Sequence, residues 1–414
     1  MTAKTSLLAI SFAVVLLPWL VWRIGAVRQV APLAVVQILA GVVLGPSCFG
    51  QLVPDLHAAV FTRPVLGALD GVSSVGVLLY VFVTGLHLDG ALLRQDARRL
   101  GTIALGSISV PLLLGIGAGW WALQQMPGAL GPAGGTVGFL ATFALCIAVT
   151  ALPVLAAVLR EMGLLGTRLG QVALALAALN DAALWLMLAV LLAFAGSQGP
   201  GPALLSLGAA VLWFGFMFVV LRPLLARLAQ AGGQAMLVVG VALSMLSAGI
   251  SEALGTGYLI GAFVAGTIMP VACRNALIRR LEMVTATVLL PFFFMSTGLK
   301  ALIEPGSSSF LGLLALTVAA TVVGKVAGTA LPARRLGFSW AQSLSLGAMM
   351  QTKGLMEVVV LAVLHDAGLI GTQVFSAMVA MAVVCTIITA PAVRLCRSWE
   401  ARRAVGGIGV EPAG

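Results

Sequence analysis

The sequence predicts an all-α polytopic membrane protein of thirteen transmembrane helices. They form an inverted-topology repeat (helices 1–6 and 8–13) in which two broken helices, the fifth and the twelfth, cross. Three observations lead there. Of 414 residues, 61% are hydrophobic and 9% charged, with a mean hydropathy of +1.12. A soluble domain carries about 25% charged residues, so a chain this apolar could not cover itself with a water-compatible surface. Arginines alternate between connections along the chain, and two short patterns recur seven helices apart. The 49 glycines and 18 prolines fit this class, because both residues are commoner in membrane helices than in soluble ones.

A span needs roughly 20 apolar residues. Thirteen segments qualify, starting near residues 6, 31, 65, 100, 136, 167, 202, 234, 256, 283, 310, 340 and 372. The first, from Leu7 to Trp22, lacks an A-x-A cleavage pattern and is followed at once by another apolar stretch, so it reads as a span rather than a signal peptide. With the N-terminus outside, the inner connections carry Arg23 and Arg28; Arg94, Arg98 and Arg99; Arg160 and Arg168; Arg222 and Arg227. They continue with Arg274, Arg279 and Arg280; Arg334 and Arg335; and Arg394, Arg397, Arg402 and Arg403. Only Lys4, Arg63 and Lys300 fall outside. This asymmetry follows the positive-inside rule and places the C-terminal tail, 401–414, in the cytoplasm of a cell-membrane protein. Topology thereby accounts for the net charge of +10, and no nucleic-acid partner is expected.

Tyr80-Val-Phe-Val-Thr-Gly-Leu86 in the third span resembles Phe293-Phe-Met-Ser-Thr-Gly-Leu299 in the tenth, and Ala40-Gly41 before Pro46 in the second resembles Ala265-Gly266 before Pro270 in the ninth. An odd offset reverses the direction of crossing, which is the signature of inverted repeats. Repeat one then covers 6–194, a connector helix 202–221 and repeat two 234–396, within one transmembrane domain over 1–400. The same offset pairs the fifth span, with Thr150-Ala-Leu-Pro153 in its middle, and the twelfth, with Gln351-Thr-Lys-Gly354. Pro153 removes a backbone hydrogen bond, and Gly354 marks the matching interruption. Paired broken helices in corresponding positions point to a midplane binding site.

A charge at the bilayer centre costs about 2.5–3.5 kcal/mol on insertion scales. In Ala178-Leu-Asn-Asp-Ala-Ala-Leu-Trp185, Asp181 is the one formally charged side chain between Arg168 and Arg222. Lys325, Lys353 and Glu357 are the other mid-span charges. Asp181 paired with Lys325 could simply hold helices together. Lys353 and Glu357, spaced i,i+4, could neutralise each other on one helix face. Glu252 reads as an interfacial acid; Asp70, Asp89 and Asp96 lie at span ends or in loops, and His57, His87 and His365 at or near loops. Burial favours a neutral acid and a nearby ammonium favours the carboxylate, a balance in which protons and cations compete. Asn180 and the Thr150 hydroxyl add neutral oxygens suited to a hard cation such as Na⁺ at Asp181. The five cysteines (Cys48, Cys146, Cys273, Cys385 and Cys396) are scattered without ligand spacing and read as packing residues, and no cofactor is expected.

Thr150-Ala-Leu-Pro-Val154, Arg160-Glu161 and Leu179-Asn-Asp181 resemble the monovalent cation:proton antiporter-2 family, the group of Kef-like and plant cation/H⁺ exchangers. Gly261-Ala-Phe-Val-Ala-Gly266, Pro291-Phe-Phe-Phe294 with Gly298-Leu-Lys300, Gly324-Lys325 and Thr352-Lys-Gly-Leu-Met-Glu357 match its later motifs in order, over nearly the whole chain. The resemblance implies a core domain moving against a dimerisation domain in a homodimer, with Asp181 as the ion carboxylate and Lys325 as its basic partner. Cys146-Ile-Ala-Val149 departs from the family, which often has a hydroxyl residue there, and Ala157 stands where arginine is common. The chain also ends about 20 residues after the last span, without room for the nucleotide-binding domain of many relatives. The Asn-Asp pair leaves one ionisable group, resembling electroneutral members.

Three functions compete: exchange of Na⁺ or K⁺ for H⁺; proton-coupled movement of an organic ion or secondary metabolite; and a membrane-embedded enzyme using Asp181 as general acid or base. For the last, no nucleophile–base pair or cofactor fingerprint is present, so the chain is expected not to be an enzyme.

Overall fold

Arg63–His87 and Ala97–Gln125 are uninterrupted helices of 25 and 29 residues, long enough to cross a bilayer at 1.5 Å per residue. The computed structural model describes residues 3–25, 27, 33–46, 48–87, 97–126, 128–152, 155, 158–159, 162–164, 167–196, 200–229, 233–301 and 308–406. Among these every regular element is a helix, and ten helices are long and apolar enough to span a membrane. Thr136–Ala148 and Tyr258–Thr267 are shorter apolar helices.

In chain order the elements are α1 (Ala3–Arg23), α2 (Leu33–Leu44), α3 (Arg63–His87), α4 (Ala97–Gln125), α5 (Thr136–Ala148), α6 (Arg168–Ala195) and α7 (Pro200–Phe216). A π-helical turn, Met217–Leu221, continues α7 into Arg222–Leu228. Next come α8 (Gly233–Ala253), α9 (Tyr258–Thr267), and α10, whose segments Val271–Val284 and Leu290–Lys300 are joined by a second π turn, Thr285–Leu289. The chain continues with α11 (Ser308–Arg335), the half-helices α12a (Trp340–Met350) and α12b (Leu355–Asp366), and α13 (Thr372–Gly406).

Two boundaries differ from expectation. The tenth helix begins at Val271 rather than near 283, because Arg274 donates to the Met269 and Thr267 carbonyls, at 2.9 and 2.6 Å, and so covers the end of α9. The basic residues that follow are good helix formers and continue it. The ninth is only ten residues long, started by Gly255 and Gly257 at positive φ and ended before Pro270. Asp70 lies two turns inside α3, not at a span end, where it accepts a 2.6 Å hydrogen bond from Ser296. Asp89 and Asp96 lie outside the described residues.

The chain forms two compact units. The first is Met1–Asp89, Trp185–Glu304 and Ala362–Ser376. Here α1 packs Ile10 and Val14 against Val65 and Leu69 of α3 and Phe292 and Met295 of α10. Two backbone-to-backbone contacts organise this unit. A Cβ at Gly85 of α3 would fall on the Phe263 carbonyl of α9, and one at Gly266 on the Phe82 carbonyl. A Cβ at Gly298 of α10 would fall on the Ile38 carbonyl of α2, and one at Gly41 on the Met295 carbonyl. Beside each contact a threonine bonds the carbonyl four residues back: Thr84 to Tyr80 at 3.0 Å and Thr297 to Phe293 at 2.9 Å.

The second unit is Gly90–Leu184, Pro305–Leu361 and Ala377–Gly414. In it α4 and α11 meet at Gly106 and Gly328, where a Cβ on either would fall on the other's carbonyl. The crossing of broken helices lies in this unit too.

Candidate functional site

α5 stops at Ala148, and Val149 is extended at φ −63°, ψ 143°. In a continuous helix the Val149 carbonyl would accept from the N–H of residue 153, and Pro153 has none. Pro153 itself, with Val154, Ala157, Arg160 and Glu161, lies outside the described residues. α12a begins with a capping box, in which Ser339 and Gln342 each accept the other's backbone N–H. It ends at Met350, where the Thr352 hydroxyl donates to the Met349 carbonyl at 2.6 Å. Gly354 starts α12b by accepting from the Glu357 and Val358 amides at 3.1 and 3.2 Å.

The two non-helical stretches bind each other. Ala151 N–H donates to the Thr352 carbonyl at 3.0 Å, and the Thr150 hydroxyl to the Met350 carbonyl at 2.7 Å. From α13 the Thr386 hydroxyl donates to the Lys353 carbonyl at 2.8 Å. Unwound backbone at this depth survives because these bonds satisfy it. Lys353 Nζ donates to the Cys146 and Ile147 carbonyls at 2.7 and 3.1 Å, so its ammonium meets the negative end of α5. It also lies 3.2 Å from Glu357 Oε2, in an ion pair with both side chains fully buried. Glu357 occupies the first turn of α12b, where a negative charge complements the helix dipole. The expected pairing holds, though across the start of α12b and not along one helix face, and Lys353 additionally caps a half-helix some 200 residues away in sequence.

Asn180 and Asp181 are neighbours on α6, so their side chains leave the helix about 100° apart. Asn180 turns to α4 and α11. Its Nδ2 donates to Ser107 Oγ at 3.0 Å and to the Leu176 carbonyl at 2.9 Å. Its Oδ1 accepts from Lys325 Nζ at 3.0 Å. A lysine has only donors, which fixes the amide orientation. Lys325 also donates to the Ser107 carbonyl at 3.1 Å and makes no ion pair with Asp181. The expected Asp181–Lys325 pair is thus replaced by a lysine on neutral oxygens.

Asp181 is 1% exposed, and neither carboxyl oxygen closes a hydrogen bond to a described residue. The neighbouring donor is the Leu152 backbone amide at the α5 break, short of hydrogen-bonding geometry. Burying a carboxylate that nothing compensates is costly, which makes Asp181 the candidate ion carboxylate. The structure therefore brings Thr150, Lys353, Glu357 and Gly354 together at the crossing, and Asn180 with Lys325 on the α4–α11 seam, with Asp181 beside Asn180 on α6. Sequence reasoning missed Ser107, fully buried and bonded to both Asn180 and Lys325. A single serine in an apolar helix gives little signal of its own.

The chain is similar to known proteins in sequence and in fold. The chain is 33% identical to cation/H(+) antiporter 17 of Arabidopsis thaliana over 400 residues, covering 94% of this chain but 48% of that protein. It thus spans about half the length of the plant relatives it matches. It is 30% identical to the Na(+)/H(+) antiporter NhaS4 of Synechocystis, covering 87% of this chain and 90% of that one. The match to K(+)/H(+) antiporter 1 of Saccharomyces cerevisiae is 28%, over 88% of this chain and 43% of the yeast protein. The solved structure of the sodium proton antiporter MjNhaP1 from Methanocaldococcus jannaschii superposes with a TM-score of 0.67 at 14% identity, covering 99% of this chain and all of that one, so the fold is shared. The family described as sodium/hydrogen exchanger, transmembrane, matches residues 10–395, a range that takes in the whole crossing and the Asn180–Asp181 pair, and the chain belongs to that family.

Proposed function

We propose that the protein is a secondary-active antiporter exchanging a monovalent cation, Na⁺ or K⁺, for H⁺ by alternating access. Cation and proton compete for Asp181, and no covalent bond is made or broken, so the protein is not an enzyme. The observation that carries this reading is the buried Asp181 carboxyl, which closes no hydrogen bond or ion pair among the described residues, in a chain of the exchanger family. Asn180 and Thr150 supply neutral oxygens nearby. Lys353 and Glu357 balance the half-helix ends at the crossing, and Lys325 is a counter-charge held in reserve on Asn180. Relatives named for sodium and for potassium both match, which supports an alkali cation as substrate.

The finer architecture belongs to the same proposal. It has thirteen spans with the N-terminus outside and the tail 401–414 in the cytoplasm, within one domain over 1–400 of a cell-membrane homodimer. Repeat one (6–194) and repeat two (234–396) flank the connector 202–221. The glycine contacts support the repeat. If α2 corresponds to α9 and α3 to α10, then a contact between α3 and α9 requires one between α10 and α2, made by the same motifs. Gly85 on Gly266 and Gly298 on Gly41 fit that requirement.

Proteoliposomes loaded with a pH dye and challenged with a panel of cations test the function. Na⁺ or K⁺ should drive proton release through the wild type and not through Asp181→Asn, which keeps the side-chain size and removes the titratable group. Normal exchange by Asp181→Asn would defeat the mechanism.

A further inference from the structure

α4 carries a proline in its interior, Pro111, four residues after Ser107. In an α-helix the carbonyl of residue 107 accepts from the N–H of residue 111, and proline has none. The Ser107 carbonyl, fully buried, therefore lacks its ordinary helical donor. Lys325 Nζ takes that place at 3.1 Å. The packing of α11 frames the position. Gly324 sits against the Pro111 backbone, and Gly328 meets Gly106, so the two helices approach closely on either side of Lys325. The Ser107 hydroxyl holds Asn180 Nδ2 at 3.0 Å and so directs Asn180 Oδ1 at the same ammonium, at 3.0 Å.

We propose that the Pro111-freed carbonyl of Ser107 is a dock for the Lys325 ammonium, and that Ser107 and Pro111 are positioning residues for ion exchange. The dock holds the lysine on two neutral oxygens, leaving Asp181 open to the transported cation. Without it the ammonium is free to neutralise Asp181 and to exclude that cation. The dock stands on the geometry alone; what it does for transport rests on the proposed antiport.

Pro111→Ala supplies the missing N–H, so the backbone takes up the carbonyl and the lysine is released, in a residue that favours helix. In the exchange assay the variant should show a cation KM raised at least about fivefold with kcat less affected, the pattern of a competing intramolecular cation. Its pH profile should move to lower pH, because a nearby ammonium favours the carboxylate over the acid. Ser107→Ala keeps the carbonyl and loses only the hydroxyl that orients Asn180, so its acid shift should be smaller than that of Pro111→Ala; a shift as large would overturn the assignment. A melting-temperature cycle with Lys325→Met needs no transport. In that background the Ser107 carbonyl has lost its ammonium, so Pro111→Ala should raise Tm by roughly 2 °C or more beyond its effect in the wild type. Equal shifts in both backgrounds, or loss of the fold in both, would overturn the dock. If the wild type moves no cation while the cycle shows the coupling, the antiport reading fails and the dock stands.

Discussion

Lys353 does two things at once: it donates to the Cys146 and Ile147 carbonyls and pairs its charge with Glu357. Removing one partner of a buried pair leaves an uncompensated charge and typically costs about 3–5 kcal/mol. Lys353→Met should therefore lower the melting temperature sharply, and adding Glu357→Leu should recover most of the loss, since the double variant buries no lone charge. A double variant as unstable as the single would show that capping α5, rather than pairing Glu357, dominates. The i,i+4 spacing suggests the pairing of these two residues, but Lys353 lies in the break before α12b, so they meet across the start of a helix and not along one helix face. The lysine's grip on α5 is not legible in the sequence, because it depends on a crossing that joins residues some 200 apart. Asn180 and Asp181 show the same division. The sequence marks both, but only the 100° step between them and the position of α4 send one side chain to Lys325 and the other away from it, with no hydrogen bond among the described residues.

Among elements, the glycine contacts make a prediction in pairs. Ala at Gly85 or Gly266 must push α3 from α9, and Ala at Gly41 or Gly298 must push α2 from α10, each at the expense of backbone contact. Overpacking of this kind typically costs about 1–3 kcal/mol. Thermal melts should show all four variants destabilised, with equivalent positions of the two pairs within about 1 kcal/mol of each other. Unequal pairs would count against a repeat. The recurrence of Thr-Gly-Leu and Ala-Gly makes the repeat legible in the amino-acid sequence, whereas which helix meets which is a matter of packing. The start of α10 at Val271 is hidden for a different reason. A basic stretch reads as a loop under hydropathy, yet Arg274 caps the helix before it and lets the next one begin at once.

At the scale of the whole molecule, the arginine pattern implies an orientation that labelling can check. A cysteine replacing Asp96 should react with a membrane-impermeant maleimide from the cytoplasmic side, and one replacing Leu130 from outside, in a background without native cysteines. The reverse accessibility would overturn both the orientation and the inverted repeat built on it. Hydropathy makes the class legible throughout, since 61% of the chain is hydrophobic, and it locates the short helices Thr136–Ala148 and Tyr258–Thr267 near their starts, though not how short the second is. The touching backbones at Gly41, Gly85, Gly266 and Gly298 also limit how this chain can vary over generations. Every single-base change that alters a glycine codon's residue brings in alanine, serine, cysteine, valine, aspartate, glutamate, arginine or tryptophan, and each adds atoms where two carbonyls already fill the space. Nothing smaller exists to compensate, so substitution there can only loosen the contact. A lineage that loses one of these glycines has to shift a whole helix, or revert.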